Sequence, residues 1–571
     1  MKLLSSLFFK CLLGSIGVLF YTVSCESDAA KAQVDGKEKV TQKVTKPLLE
    51  LLNPNETGID FTNILDETNE VNFYRWDYLY NGGGAAIGDL DNDGLPEIYF
   101  TGTIVADKLY KNKGNFEFED VSAVTGISNY GGIKTGVTMI DINNDNLLDI
   151  YVCRSGFFQD KDTHKNLLFI NQGGLKFKEM AGDYGLDDSG NSIHSAFFDY
   201  DNDGDLDCYI ASHPEFRLTY KAVFEGIADP KDKVSDKLYR NDNGKFVNVT
   251  RSAGIQNFGH GLGLAVSDMN HDGNTDVYVA NDFQLPDFYY VNQGNGTFKE
   301  QLKNAFPHCS YFAMGTDVAD FNNDGLLDIF IVEMLAADNK RKKTNMASMD
   351  ADLFWKHVKA GFHYQYMRNT LQLNNGNGTF TDIADLAGVR NTDWSWAPIF
   401  ADLDNDGLKD LLVTNGYIRD TQDKDYLIKT SAIAAQRGGE MSFDELQEHM
   451  KSTRIANYAY RNMGNYEFQD KSNEWGFNFS GFSNGASMGD LDNDGDLDIV
   501  VNNYFDPACI YKYNDSETDT NNFIRFKFEG QNQNKSGLGT KVTLHSNDGI
   551  QYQELQVTRG FQSCVEPLLH F

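Results

Sequence analysis

Apolar residues come along this chain in short runs, and the runs come in pairs around an acidic stretch. Thr138-Met139-Ile140 and Ala196-Phe197-Phe198 lie just before such stretches, while Ile98-Tyr99-Phe100, Ile150-Tyr151-Val152, Val277-Tyr278-Val279, Ile329-Phe330-Ile331 and Ile499-Val500-Val501 lie just after. Short β-branched and aromatic runs bounded by Asp, Asn and Gly predict two strands joined by a turn. A second pattern follows each pair at a variable distance: Lys108 to Phe116, Lys237 to Phe246 and Leu371 to Phe380 each read strand, Asn/Gly turn, strand. Two hairpins make a four-stranded sheet. Seven pairs recur, their acidic stretches starting 52, 58, 69, 52, 82 and 88 residues apart, so seven sheets of propeller-blade length are expected. Closing them into a ring removes the exposed edges that a solenoid would have to cap.

The acidic stretches are one nonapeptide written seven times, with side-chain oxygens at positions 1, 3, 5 and 9. The sets are Asp89, Asp91, Asp93 and Glu97; Asp141, Asn143, Asp145 and Asp149; Asp199, Asp201, Asp203 and Asp207; and Asp268, Asn270, Asp272 and Asp276. They continue with Asp320, Asn322, Asp324 and Asp328; Asp402, Asp404, Asp406 and Asp410; and Asp490, Asp492, Asp494 and Asp498. Position 6 is Gly except for Asn146, which also tolerates left-handed backbone. A many-oxygen ladder suits a hard cation and points to Ca²⁺ at up to seven sites; magnesium prefers a tighter octahedron, and no His or Cys recurs for zinc. An EF-hand would carry a bidentate Glu at position 12 between two helices. Here position 12 is Phe100, Val152, Ile210, Val279, Ile331, Val413 or Val501, and strand follows.

With these loops and their companion hairpins, residues 59 to 512 resemble the FG-GAP/VCBS repeat family, related to the blades of integrin α-subunits. The resemblance implies an all-β, seven-bladed propeller with calcium-binding hairpin loops. Thr57-Gly58-Ile59-Asp60-Phe61 and Tyr80-Asn81-Gly82-Gly83-Gly84 look like the start of the large VCBS lipoproteins of Bacteroidetes-type bacteria. Beyond the propeller, assigned to 46–515, the alternating segments 522–528, 537–544 and 551–557 predict three strands. With Arg559-Gly560-Phe561-Gln562-Ser563 and Leu568-Leu569-His570-Phe571, residues 516–571 resemble a small ASPIC/UnbV β domain. In that family the terminal His-Phe runs on into another strand, so the module reads as incomplete.

Residues 1–25 read as a targeting segment: Lys2 and Lys10 precede an apolar run from Cys11 to Phe20, too short to span a bilayer. Thr22-Val23-Ser24-Cys25 resembles a lipobox with Cys25 as the lipidated residue, and 26–45 read as a solvated tether. An outer-membrane lipoprotein is expected, with a surface-exposed position open; secretion or a periplasmic location is the alternative. The formal charge is −33, and the ladders alone supply 25 carboxylates; seven divalent cations would leave about −19. Such a surface excludes nucleic acid, which needs a basic footprint. Cys153, Cys208, Cys309, Cys509 and Cys564 are too scattered for a disulfide framework or zinc spacing and read as buried structural residues.

No catalytic constellation stands out. Gly481-Phe482-Ser483-Asn484-Gly485 matches a nucleophile-elbow string, but strand rather than helix should follow it. Gly82–Gly84 and Gly259–Gly263 open no βαβ unit and read as turns leading into blades. The long insertions, 212–236, 333–368 and 415–456, all follow a second strand and therefore emerge opposite the acidic loops. Two carry predicted helices, 351–359 and 442–450, the latter with a Ser-x-x-Glu capping box. Long structured insertions are commonly functional. Candidate ligand-binding residues on that face are Arg154, His213, Phe283, Trp355, His363, Tyr364, Trp394, Trp396, Tyr417, Arg419 and Tyr504. Aromatics stack on sugars and dominate protein hot spots. The expected function is ligand binding or adhesion, with carbohydrate or protein as partner. The alternatives are a carbohydrate-active lyase or dehydratase, or a structural partner of an outer-membrane protein.

Overall fold

A computed structural model of the chain describes residues 46–571 except 129, 158–159, 215–234, 284, 346–349, 515–522, 531 and 548. Residues 1–45, with Cys25 and the expected signal segment and tether, lie outside the described residues, as does most of the 212–236 insertion. Residues 46–571 form one compact unit.

The fold is a seven-bladed propeller. Its innermost strands are Ala85–Gly88, Ile133–Ile140, Asn191–Phe198, His260–Ser267, Thr316–Ala319, Ser395–Ala401 and Ser483–Gly489. Each touches the next, and the seventh touches the first. Within a blade the strands pair antiparallel in sequence order; the second blade, for example, runs Ile133–Ile140, Asp149–Ser155, Leu167–Asn171 and Phe177–Glu179. The acidic nonapeptides join first to second strands and so share one face. One expectation is corrected: among the described residues the seventh unit has no companion hairpin of its own. After Cys509–Tyr513 its fourth strand is Leu49–Leu51, with Leu49 opposite Tyr513, so the start of the propeller clasps its end.

The insertions carry the predicted helix Ala351–Lys359, capped by Asp350, and a shorter helix Phe443–Gln447 with the Ser442/Glu445 capping box formed. They also carry Asn339–Thr344 and Lys424–Arg437, which no pattern of apolar spacing announced. Ser483 opens a strand, so the nucleophile-elbow context is missing. The five cysteines from Cys153 to Cys564 are buried and unpaired with one another.

The C-terminal segment forms the expected strands at Arg525–Lys527, Lys541–His545 and Ile550–Glu554. It then does something periodicity did not suggest: Thr558–Arg559 and Ser563–Cys564 pair as a tight hairpin that joins the first blade's sheet through Cys564 beside Ala86. The hairpin lies along the propeller axis. It bonds to Ala85 of the first blade, Val137 of the second, Ser195 of the third, Thr316 of the fifth, Phe400 of the sixth and Ser487 of the seventh. Glycines admit it: a Cβ on Gly84 would collide with the Gln562 carbonyl, and one on Gly485 with the Ser563 hydroxyl.

Candidate functional site

The acidic loops are built by their own backbone. In six of the seven, the two oxygens of position 1 accept the amides of positions 5 and 6 at 2.8–3.1 Å, as Asp141 does from Asp145 and Asn146. Position 5 accepts the amide of position 7 in all seven. The chain can coil this tightly because position 4 is left-handed throughout and position 6 is Gly, or Asn146 at φ +67°. Position 9 is buried and bonds outward: Asp207 accepts the amides of Tyr200 at 3.1 Å and Asn241 at 2.8 Å.

The donor set fits a hard cation. In four loops three carboxylates bring an oxygen within 4.8 Å of one another: Asp89, Asp91 and Glu97; Asp199, Asp201 and Asp203; Asp402, Asp404 and Asp410; Asp490, Asp492 and Asp498. The other three loops have Asn143, Asn270 or Asn322 at position 3, a neutral oxygen ligand in place of a charged one. Buried oxygens of Asp89, Glu97, Asp201, Asp328 and Asp492 lack a hydrogen-bond donor, which a cation would supply. Burial pushes Glu97, Asp149, Asp207 and Asp276 up to about 8, with neighbouring ladder carboxylates adding to the shift. Lysines partly offset the charge: Lys111 pairs with Asp91 and Asp93, and Lys512 with Asp492 and Asp494.

Two recurring residues escaped the sequence reading. The Asn at position 4 reaches the next loop along the ring: Asn92 donates to the Asn146 carbonyl, Asn202 to Asn274, Asn323 to the Gly407 carbonyl, Asn405 to Asp496 and Asn493 to the Gly94 carbonyl. The Asn ending the third strand donates to a carbonyl in the preceding blade's loop, Asn171 to Leu90 and Asn462 to Phe321. The first recurs at a fixed place in the ladders; the second ends the third strand at a varying distance from them, just before the Asn/Gly turn of the companion hairpin. They bind neighbouring loops into a belt.

On the opposite face, at the mouth of the channel, lies a cavity of about 320 Å³ over blades four to six. Starts of first strands and ends of second strands supply its walls: Phe283, Phe312, Met334, Trp394, Trp396 and Tyr417, with Phe73, Asp77, Tyr78 and Asn81 arching over from the N-terminal segment. Trp394 and Tyr417 stack face to face at 3.7 Å. Tyr78 donates to Asp282 at 3.2 Å, and the His213 ring lies 3.8 Å behind it. Glu333 is fully buried beside Asp282, and burial first, then that neighbour, raises its carboxyl well above the usual range.

The structure divides the candidate ligand residues. Phe283, Trp394, Trp396 and Tyr417 come together in this pocket, with His213 directly behind its wall. Trp355 and Tyr364 are exposed, flanking Phe354 on the 333–368 insertion, away from the pocket lining. The remaining four are committed to the fold. Arg154 donates to the carbonyls of Gly131 and Asp162, His363 bonds the Phe306 carbonyl, and Tyr504 bonds Leu79 and Thr103. Arg419 pairs with buried Glu67 at 2.8 Å, tying an insertion to the N-terminal segment. Sequence reasoning missed the 73–81 arch, whose Phe73 and Tyr78 precede the first blade with no periodic signal.

The FG-GAP-like repeat model matches residues 89–152, 268–331, 350–413 and 451–501, ranges that hold six of the seven ladders, and the ASPIC and UnbV model matches 530–571. This chain carries FG-GAP-like repeats. Cartilage acidic protein 1 of Xenopus tropicalis is 28% identical over 264 residues, 43% of this chain and 39% of that protein. The Homo sapiens protein of the same name is 26% identical over 267 residues, 43% and 38% of the two chains. The match thus spans about two fifths of those relatives' length. Among solved structures, an Agrocybe aegerita protein recognising non-reducing terminal N-acetylglucosamine aligns at TM-score 0.28 and 16% identity, over 75% of this chain and 80% of that one. The exotype rhamnogalacturonan lyase YesX aligns at TM-score 0.36 and 11% identity, over 76% and 72%. At these TM-scores the alignments say nothing of shared ligands.

Proposed function

We propose that this chain is an exported, calcium-stabilised binding propeller whose ligand occupies the channel-mouth pocket. The single observation carrying the reading is the stacked Trp394–Tyr417 pair in the wall of a 320 Å³ concavity edged by Asp77, Asn81 and Asp282. Flat aromatic faces beside carboxylate and amide groups suit a sugar ring, which offers C–H faces and a rim of hydroxyls; an aromatic side chain of a protein partner would use the same walls. The FG-GAP ladders would hold Ca²⁺ through positions 1, 3, 5 and 9, where it would neutralise carboxylates the fold crowds together. Anchorage through Cys25 in the outer membrane completes the proposal. Retention of the mature protein on a panel of immobilised glycans tests it: binding lost on Trp394→Ala supports the pocket, and retention unaffected by that change refutes it.

A lyase is the second reading, favoured by one feature: Tyr78, Asp282, His213 and His260 converge at one wall. The same panel decides, because a lyase would release unsaturated products where a binding protein leaves the glycans intact.

A further inference from the structure

The pocket floor and the acidic loops are on opposite faces, yet one stretch of chain touches both. Phe561, at the tip of the axial hairpin, is fully buried, and its ring meets Trp396 at 4.9 Å. Trp396 in turn lies under Tyr417, the partner of Trp394 in the stacked wall. The tip is held in a tight turn by Gly560 and Gln562, both left-handed, and Gly315 leaves room for it where a Cβ would strike the Trp396 carbonyl and approach that of Gly560. Arg559 fixes the hairpin's height through Asp317 at 2.8 Å and the Phe400 carbonyl at 2.7 Å.

At its other end the same segment lies on the ladders. Lys541 pairs with Asp268 Oδ2 and Arg525 with Asp490 Oδ2, position-1 oxygens of the fourth and seventh loops. Glu554 accepts the Asp268 amide at 3.1 Å, and His570 Nε2 donates to the Gly495 carbonyl at 2.6 Å. A cation taken up by either loop would draw on oxygens that now hold the C-terminal segment. Few residues separate these contacts from the hairpin: Glu554 is four before Thr558, and the Leu568–His570 strand paired with Arg525–Lys527 begins four after Cys564.

We infer that the C-terminal hairpin is the floor support of the ligand pocket and reports the cation state of the loops to it, with Phe561 as the positioning residue for Trp396. The physical basis is differential contact: Lys541 and Arg525 share carboxylates with the cation, so the segment's seat differs between loaded and stripped loops. The inference rests on the calcium and pocket readings proposed above but needs no pocket ligand to test.

The full chain labelled with fluorotryptophan carries five tryptophans, whose fluorine resonances single Trp→Phe substitutions assign. Stripped with chelator and titrated with calcium chloride, the wild type should move the Trp396 resonance. Phe561→Ala should abolish that movement while its melting temperature still rises with calcium, and Phe561→Leu, which keeps an apolar tip, should retain it. Should Phe561→Ala fail to fold, the paired Arg525→Ala and Lys541→Ala changes cut the link at its exposed end with the same expected loss. A Trp396 shift that survives these changes overturns the inference, as does a wild type that melts higher in calcium with Trp396 unmoved. A failed glycan screen is a separate result, bearing on the pocket ligand alone.

Discussion

Asp149 ties its loop to the rest of its blade: one carboxylate oxygen accepts the Asn171 amide at 2.7 Å while the other accepts that of Ile142 at 3.1 Å. Burial lifts this acid to about 8, as it does Asp207, Asp276 and Glu97. Their folded values lie above the unfolded ones, so without cation the folded state binds the extra protons. Stability from these groups is then complete below about pH 4 and declines as pH rises toward 8. A bound cation holds the ionised form instead and reverses the trend. The rise in melting temperature caused by millimolar calcium should therefore grow from about pH 5 to about pH 8, each site adding about 2.7 kcal/mol once calcium exceeds its Kd a hundredfold. Thermal melts in calcium and in chelator across that range check it; equal melting in both would remove the loops as structural metal sites.

The clasp between Leu49 and Tyr513 makes a different demand. Leu49 is fully buried, and its strand supplies the only fourth strand the seventh blade has among the described residues. Leu49→Asp places a carboxylate in that core and should cost about 3 kcal/mol or more. Glu50→Ala, on the half-exposed side of the same strand, should stay within about 0.5 kcal/mol. Urea unfolding midpoints separate the two, and a mild Leu49→Asp would mean the ring holds without its clasp.

Much of this was legible because it repeats. Seven ladders at matching offsets from apolar runs dictate hairpins, faces and blade number, and the chemistry of positions 1, 3, 5 and 9 follows from oxygen count. What repetition cannot encode is what happens once. Leu49–Leu51 has no pattern that assigns it to a partner more than 450 residues away, and Thr558–Cys564 looks like any short hairpin until the ring it fills is built. The pocket is partly the same kind of case: Trp394 and Tyr417 stack because the sixth blade's first hairpin sets Ser395 opposite Asn415 and the Gly416 N–H on the Trp394 carbonyl, but the Phe73–Asn81 arch over them belongs to no repeat. Arg419 and Tyr504 looked equally available for ligand, and only the fold shows Glu67, Leu79 and Thr103 satisfying them.

Two buried histidines hold the C-terminal segment and give it an acid limit. His194 Nε2 lies 3.1 Å from the Ser563 carbonyl and His570 Nε2 2.6 Å from that of Gly495; burial lowers both to about 4. Here the folded values lie below the unfolded one, so the unfolded chain takes up the extra protons. Their contribution is whole above about pH 6.5 and is lost as pH falls toward 4. Acidification through that window should loosen the axial hairpin, read as faster amide exchange at Val137 and Thr316, whose N–H groups bond to it. His194→Gln should weaken the hairpin at neutral pH yet flatten its acid dependence. Unchanged exchange between pH 6.5 and 4.5 would show that these imidazoles do not limit it.

The pocket wall and the sixth loop, whose carboxylates are not the Asp268 and Asp490 oxygens paired with Lys541 and Arg525, should fail independently. Trp394→Ala removes one half of the 3.7 Å stack at the pocket wall and touches no acidic loop; Asp404→Ala removes one ladder oxygen from the sixth loop and touches no pocket residue. Losing a buried aromatic anchor from a binding pocket commonly costs 2 kcal/mol or more, about thirtyfold in Kd. Once a glycan or protein ligand is retained, Trp394→Ala should weaken it by about that factor while leaving the calcium-induced rise in melting temperature in place. Asp404→Ala should do the converse, trimming the calcium increment by one site's share. Isothermal titration and paired melts on the two variants decide between them. If Asp404→Ala alone abolished binding, the ligand would sit on the loop face and the Trp394–Tyr417 wall would be packing and nothing more.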